Sequence, residues 1–160
     1  MSFKQVNLKV ITGGGMSRSF AMACLISVIA ISLQGNEARA DSSALIQPFT
    51  TDYCTNFPNG TLSNPSLWAR CCLMHDIKYW AGGSARERLE ADTNLRSCVA
   101  ATGHPDVGQA MFLGVRVGGS PSLNTPWRWG YGWTEMRGYR PLTADEQSQV
   151  FALAPKLSEP

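Results

Sequence analysis

Apolar residues recur with helical spacing through the middle of the chain. At about 100° per residue, Trp68, Cys72, His75 and Tyr79 fall within roughly 60° of one another, with Asp76 at the edge of their face. The pattern predicts a helix beginning near Ser63 or Asn64, with Pro65 in its first turn, and ending at Gly82-Gly83. Ser84-Ala85-Arg86-Glu87 is a capping box and predicts a second helix running to about Thr102, with Gly103 as its stop. Its inner stripe is Ala91, Asp92, Leu95, Cys98 and Val99, closed by Thr102. A shorter helix is expected from Val107 to about Val117, and Thr143-Ala144-Asp145-Glu146 is a second capping box opening a terminal helix. Residues 41–49 suit a short amphipathic turn. Residues 50–64, rich in Thr, Asn, Pro and Gly, read as loop, and residues 118–142 as irregular chain with room for a hairpin. The class expected is all-α, dominated by two long antiparallel helices joined at a tight Gly-Gly turn.

The first forty residues have a different character. Lys4, Lys9 and Arg18 precede an apolar run from Phe20 to Leu33, and Ala38-Arg39-Ala40 offers a small-x-small cleavage site, the layout of a secretory signal peptide. The run is too short to span a bilayer comfortably. Residues 41–160 are then the mature domain, expected to be secreted or periplasmic; the sequence does not fix its oligomeric state, and a monomer is favoured. Removing the leader takes away Lys4, Lys9, Arg18 and Arg39 against a single acid, Glu37, so the formal charge moves from +2 to −1. No nucleic-acid footprint is left. Cys24 goes with the leader. Cys54, Cys71, Cys72 and Cys98 remain, an even count that reads as two disulfides in an exported chain. A zinc site with His75 fits less well, because adjacent Cys71-Cys72 lacks the spaced-pair ligand pattern.

The chain has only two histidines, and His104 sits in a Gly-His-Pro turn. Antiparallel helices would bring His75 to Asp92. A carboxylate on one imidazole nitrogen fixes the tautomer, and the other nitrogen can take a proton from water. Asp76, beside this base, can hold a hard cation such as calcium, with further oxygens from backbone carbonyls of the loop at 54–61. Tyr79 suits either packing or a role in the same network. The aromatic run from Trp127 to Trp133 has two readings: an interfacial platform at a lipid surface, or cover for a small core, which a domain of this size needs. Gly114, Gly118 and Gly119 suit close packing and a chain turn better than phosphate binding.

Cys-Cys-x-x-His-Asp-x-x-Tyr, from Cys71 to Tyr79, resembles the active-site helix of the secreted phospholipase A2 family, and the Asp92-to-Cys98 spacing is similar to that family's second helix. The resemblance covers roughly residues 50–100. It implies a phospholipase A2-like fold with a calcium-binding loop, and disulfides Cys71–Cys98 and Cys54–Cys72. It further implies His75 as catalytic base, Asp92 as its partner, Tyr79 as a hydrogen-bond donor to that partner, and Asp76 as the calcium carboxylate. The loop Tyr53-Cys54-Thr55-Asn56-Phe57-Pro58-Asn59-Gly60-Thr61 lacks the glycines the family places directly after its cysteine. If alternate carbonyls are kept, Thr55 and Phe57 are the expected calcium ligands, with Gly60 supplying the turn or its own carbonyl. The segment after residue 104 does not map onto the common secreted enzymes. The implied activity is calcium-dependent hydrolysis of a glycerophospholipid fatty-acyl ester at a phospholipid membrane surface or lipid aggregate. The competing class is a non-catalytic lipid-binding or toxin-like module on the same scaffold.

Overall fold

The computed structural model describes residues 45–157, and the expected signal peptide at residues 1–40 lies outside them. Four helices follow in order: α1 (Ala69–Ala81), α2 (Ala85–Ala101), α3 (Pro105–Gly118) and α4 (Ala144–Leu153). The architecture is all-α. Among the described residues the only β-type pairing is an isolated antiparallel bridge between Ile46 and Trp133, and residues 119–143 form turns instead of a hairpin. No helix among the described residues is long and apolar enough to cross a membrane.

α1 starts later than its periodicity suggests. The Asn64 carbonyl accepts from both Thr61 and Leu67 N–H, and Trp68 N–H donates back to the Asn59 carbonyl at 3.0 Å. Residues 65–68 therefore close a turn onto the preceding loop before regular helix begins. The Trp68 indole N–H adds a bond to the Pro58 carbonyl at 2.6 Å. Gly60 belongs to this turn: a Cβ there would lie 2.0 Å from the Asn64 carbonyl oxygen.

At its other end α1 stops at Gly82, whose φ of 73° suits a residue without a side chain. The capping box at Ser84 and Glu87 forms in full, as does the one at Thr143 and Glu146. α3 begins two residues earlier than expected, with Pro105 in its first turn.

The last carbonyls of α1 and of the turn after it have no helical partners. The irregular aromatic segment supplies them. Gly130 N–H donates to Tyr79 O at 2.6 Å, and Gly132 N–H to Trp80 O at 3.1 Å. The Trp133 indole N–H donates to Ala81 O and that of Trp129 to Gly83 O, each at 2.8 Å. Gly132 is needed for the approach, since a Cβ there would sit 2.3 Å from the Trp80 ring. Trp129 and Trp133 are fully buried, so the core reading applies to them, whereas Trp127 is partly exposed.

Disulfides Cys54–Cys72 and Cys71–Cys98 tie the loop to α1 and α1 to α2. Cys54, Cys71 and Cys72 sit in a cluster with Trp68, Leu95, Val99 and Met111. One stripe residue departs from expectation. Cys98 is exposed and is reached by Cys71 from the edge, while Arg88, one turn before Asp92, is buried on the inner face.

Candidate active site

His75 and Asp92 face each other across α1 and α2. Imidazole Nε2 lies 2.9 Å from Asp92 Oδ1, and the carboxylate has no exposed surface. The histidine is 7% exposed. Its ring stacks on Tyr79, with centroids 4.1 Å apart, and the Tyr79 hydroxyl donates to the same Asp92 oxygen at 2.7 Å. His75, Asp92 and Tyr79 are thus one buried network.

The other Asp92 oxygen is held by a residue that periodicity does not single out. Arg116, on α3, donates through Nη1 to Oδ2 at 2.6 Å. Arg88 stands behind: its Nε donates to the Tyr79 hydroxyl at 3.0 Å and lies 3.9 Å from Asp92 Oδ2. Its Nη2 donates to the carbonyls of Val115 and Arg116, in the last turn of α3, at 2.7 and 2.8 Å, and Nη1 reaches the Tyr139 hydroxyl. A guanidinium at a helix C-terminus is favoured by the helix dipole, and this one fixes the turn that aims Arg116 at Asp92. Arg88 lies four residues before Asp92, so the spacing was visible in the sequence. Arg116 carries no local signal.

The charges are consistent with this wiring. Burial pushes the Asp92 carboxyl upward, but hydrogen bonds from His75, Arg116 and Tyr79 hold it below the usual carboxylate value. Asp92 is therefore ionised, and it orients the proton of His75 onto Nε2. Burial lowers the imidazole, and Asp76 and Asp92 together more than offset this, raising it above its ordinary value. Burial and the nearby Asp92 push the Tyr79 phenol well up, so it stays a donor.

With Nε2 committed to Asp92, Nδ1 is the free nitrogen, and it lies 3.8 Å from Asp76 Oδ1. Asp76 Oδ2 accepts from the Thr51 hydroxyl at 2.6 Å, and Thr51 also accepts from Tyr53 N–H at 2.8 Å, so the incoming chain is pinned beside the carboxylate. His75, Asp76, Thr55 and Phe57 all line one cavity of about 340 Å³. Gly60 does not line it, because it is packed into the turn before α1. The loop from Tyr53 to Phe57 turns sharply, with Tyr53 and Asn56 in the left-handed region at φ 65° and 57°. The Tyr53 and Cys54 carbonyls accept from Thr55 and Phe57 N–H. The Thr55 and Phe57 carbonyls accept no hydrogen bond among the described residues.

Among the described residues no three His, Cys, Asp or Glu side chains converge as a metal cluster. The oxygens shown at Asp76 are its own carboxylate and the Thr51 hydroxyl, and Thr55 and Phe57 line the same cavity as Asp76. An all-oxygen set with a single charged ligand suits a hard cation such as calcium and is poor for zinc. Of the residues expected to hold calcium, Asp76, Thr55 and Phe57 line one cavity, and Gly60 lies outside it. Compared with protein-family models, curated proteins and solved structures, the chain matches none of them.

Proposed function

We propose that this protein is a calcium-dependent, phospholipase A2-like ester hydrolase that uses water activated by His75. The single observation supporting this reading is a histidine whose Nε2 is fixed 2.9 Å from a buried carboxylate, while the same residue lines a cavity shared with Asp76 and the Thr55–Phe57 loop. Asp92 holds the productive tautomer and stabilises the imidazolium as it forms. His75 Nδ1 takes a proton from water. The oxygen attacks the ester carbonyl carbon, and the tetrahedral intermediate collapses as Nδ1 returns the proton to the departing alkoxide. The products are a fatty acid and a lysophospholipid. Tyr79 and Arg116 keep Asp92 ionised and still. Calcium bound at Asp76 would polarise the ester carbonyl and neutralise a nearby phosphate.

Fatty-acid release from a glycerophospholipid, with calcium and with a chelator, tests the reading. Release should require calcium. His75→Gln should lower turnover by about 10³-fold or more while leaving calcium binding intact, and Asp76→Asn should weaken calcium binding and turnover together. Turnover unaffected by the chelator would remove the metal, and an active His75→Gln protein would remove the base.

A further inference from the structure

α3 and its C-terminal boundary carry four glycines, and they do not have the same cause. A Cβ at Gly108 would lie 2.6 Å from the Arg96 carbonyl oxygen, where α3 crosses α2. A Cβ at Gly119 would lie 2.4 Å from the Tyr79 ring. Those two are set by packing. A Cβ at Gly118 would meet only the Trp127 indole nitrogen, at 3.8 Å, and one at Gly114 would meet nothing within 4 Å. Close packing therefore does not account for Gly114. Helix propensity does not either, since glycine is among the poorest residues for a helix interior.

Gly114 is exposed, and the open space beside it belongs to the cavity that holds His75 and Asp76. Ala110, Gly114 and Gly118 stand four residues apart, so they share one face of α3, and all three line this cavity. They make a nearly bare backbone wall about 12 Å long. Phe57, Leu95, Met111 and Trp127 line the same cavity. Its ionisable pair is His75 and Asp76, with Tyr53, Thr55, Asn56 and Tyr79 also in the lining. The direction of the wall is set by Tyr79, which touches the Gly119 end and stacks on His75. The reacting centre is thus near the C-terminal end of α3, Ala110 is the far end, and Gly114 lies halfway.

We propose that Gly114 is the specificity-determining position of this cavity. The bare face from Gly118 to Ala110 seats a straight alkyl chain, and the missing side chain at 114 lets a long chain pass the midpoint. This rests on the hydrolase reading, in which the chain is the acyl group of the ester. It assigns α3, outside the region of family resemblance, the task of measuring acyl length.

The test titrates straight-chain fatty acids, one short and one long, each below its aggregation concentration, into the protein by calorimetry. Gly114→Leu should weaken binding of the long acid about tenfold or more and change the short one by less than about twofold. Gly114→Ala, which favours the helix and adds a single methyl, should fall between, so a folding failure of the leucine variant leaves the question answerable. Val117→Leu, on the same helix but outside the cavity lining, should bind as the parent does. A Gly114→Leu protein that melts like the parent and binds both acids unchanged, or loses both equally, overturns the proposal. The parent's phospholipid hydrolysis separates the two claims. A length-dependent effect at position 114 in a protein that cleaves no ester keeps the subsite and sinks the hydrolase. Hydrolysis with an unchanged length profile in Gly114→Leu does the reverse.

Discussion

The helix that carries His75 and Asp76 is held differently at its two ends. Near its start, adjacent Cys71 and Cys72 are bonded outward to Cys98 and Cys54. At its finish, the carbonyls of Tyr79, Trp80 and Ala81 are capped by Gly130, Gly132 and Trp133, from a segment about fifty residues later in the chain. The first end is fixed by covalent bonds that restrict even the unfolded chain. The second is fixed only in the folded state, by hydrogen bonds made where water is excluded. The site lies between them, and its buried charge is served from the second side: Tyr79, Arg88 and Arg116 converge on Asp92 there. A small domain with a modest core can thus hold a buried carboxylate by placing covalent staples at one end and charged and aromatic caps at the other.

The largest effect is expected from Arg88, which joins Tyr79 to the last turn of α3. It is only 2% exposed. Arg88→Met leaves two α3 carbonyls without their guanidinium donor and withdraws a positive charge from beside Asp92, and should destabilise by about 3–5 kcal/mol. Denaturant unfolding measures this. A loss below about 1 kcal/mol, the range of an exposed ion pair, would mean the second end stands on apolar packing alone. Next comes the covalent end. Replacing Cys71 and Cys98 together by Ala should cost about 2–4 kcal/mol, chiefly by loosening the unfolded chain. Peptide mapping without reduction should find Cys71–Cys98 and Cys54–Cys72 in the parent. A Cys54–Cys98 bridge would contradict the structure.

The two ends differ equally in how legible they are. Helical periodicity, both capping boxes and the His75–Asp92 pairing could be read locally, because each depends on residues a few positions apart or on one short turn. The start of α1 could not: Pro65 suits a first turn, but Asn64 and Trp68 are drawn back to the preceding loop by bonds that follow no helical period. Cys98 and Arg88 exchanged places for a related reason. A stripe drawn from apolarity puts cysteine inward and arginine outward, yet this arginine finds a hydroxyl and two helix-end carbonyls inside. Arg116 and the Gly130–Trp133 caps had no periodic signature, since their partners are distant in sequence. The glycine and tryptophan pattern of residues 129–133 does have a physical reason. Glycine lets backbone approach α1, and tryptophan brings both apolar bulk and one N–H for a carbonyl.

That role predicts a smaller, separable effect. Trp133→Phe keeps most of the buried ring but removes the donor to Ala81 O. The orphaned carbonyl should cost about 1–3 kcal/mol. Amide exchange should rise at the end of α1 and in Gly130–Gly132, while amides beside the disulfides keep their protection. Equal loosening of both ends would show that α1 opens as one unit and that the two anchorages are not independent.

The smallest effect, on pH, distinguishes the ends most cleanly. Arg137 lies over the Trp133 ring, 4.3 Å from its centroid, and its Nη2 donates to Glu146 Oε2 at 2.8 Å. Glu146 also accepts from Thr143 N–H at 2.8 Å and from Arg140 at 3.4 Å. Burial pushes this carboxyl up, but the Thr143 amide and the two arginines outweigh it and hold it below the ordinary glutamate value. A lowered folded pKa means the unfolded chain takes up the proton first. The stability Glu146 contributes is therefore fully present above the unfolded value of about 4.3 and is lost as pH falls through the folded one. Asp92 titrates in the same sense, so the comparison that isolates Glu146 is with Glu146→Gln. The parent should be the more stable of the two near neutrality, and the gap should close as the solution becomes acidic. Over that interval exchange should quicken around Trp133 and the end of α1, because Arg137 loses the partner that keeps it on the indole. The Cys71–Cys72 end has no such carboxylate and should not respond. A gap that stays constant with pH would show that Glu146 acts through its cap on α4 alone, and that the link from α4 through Arg137 to α1 does not carry stability.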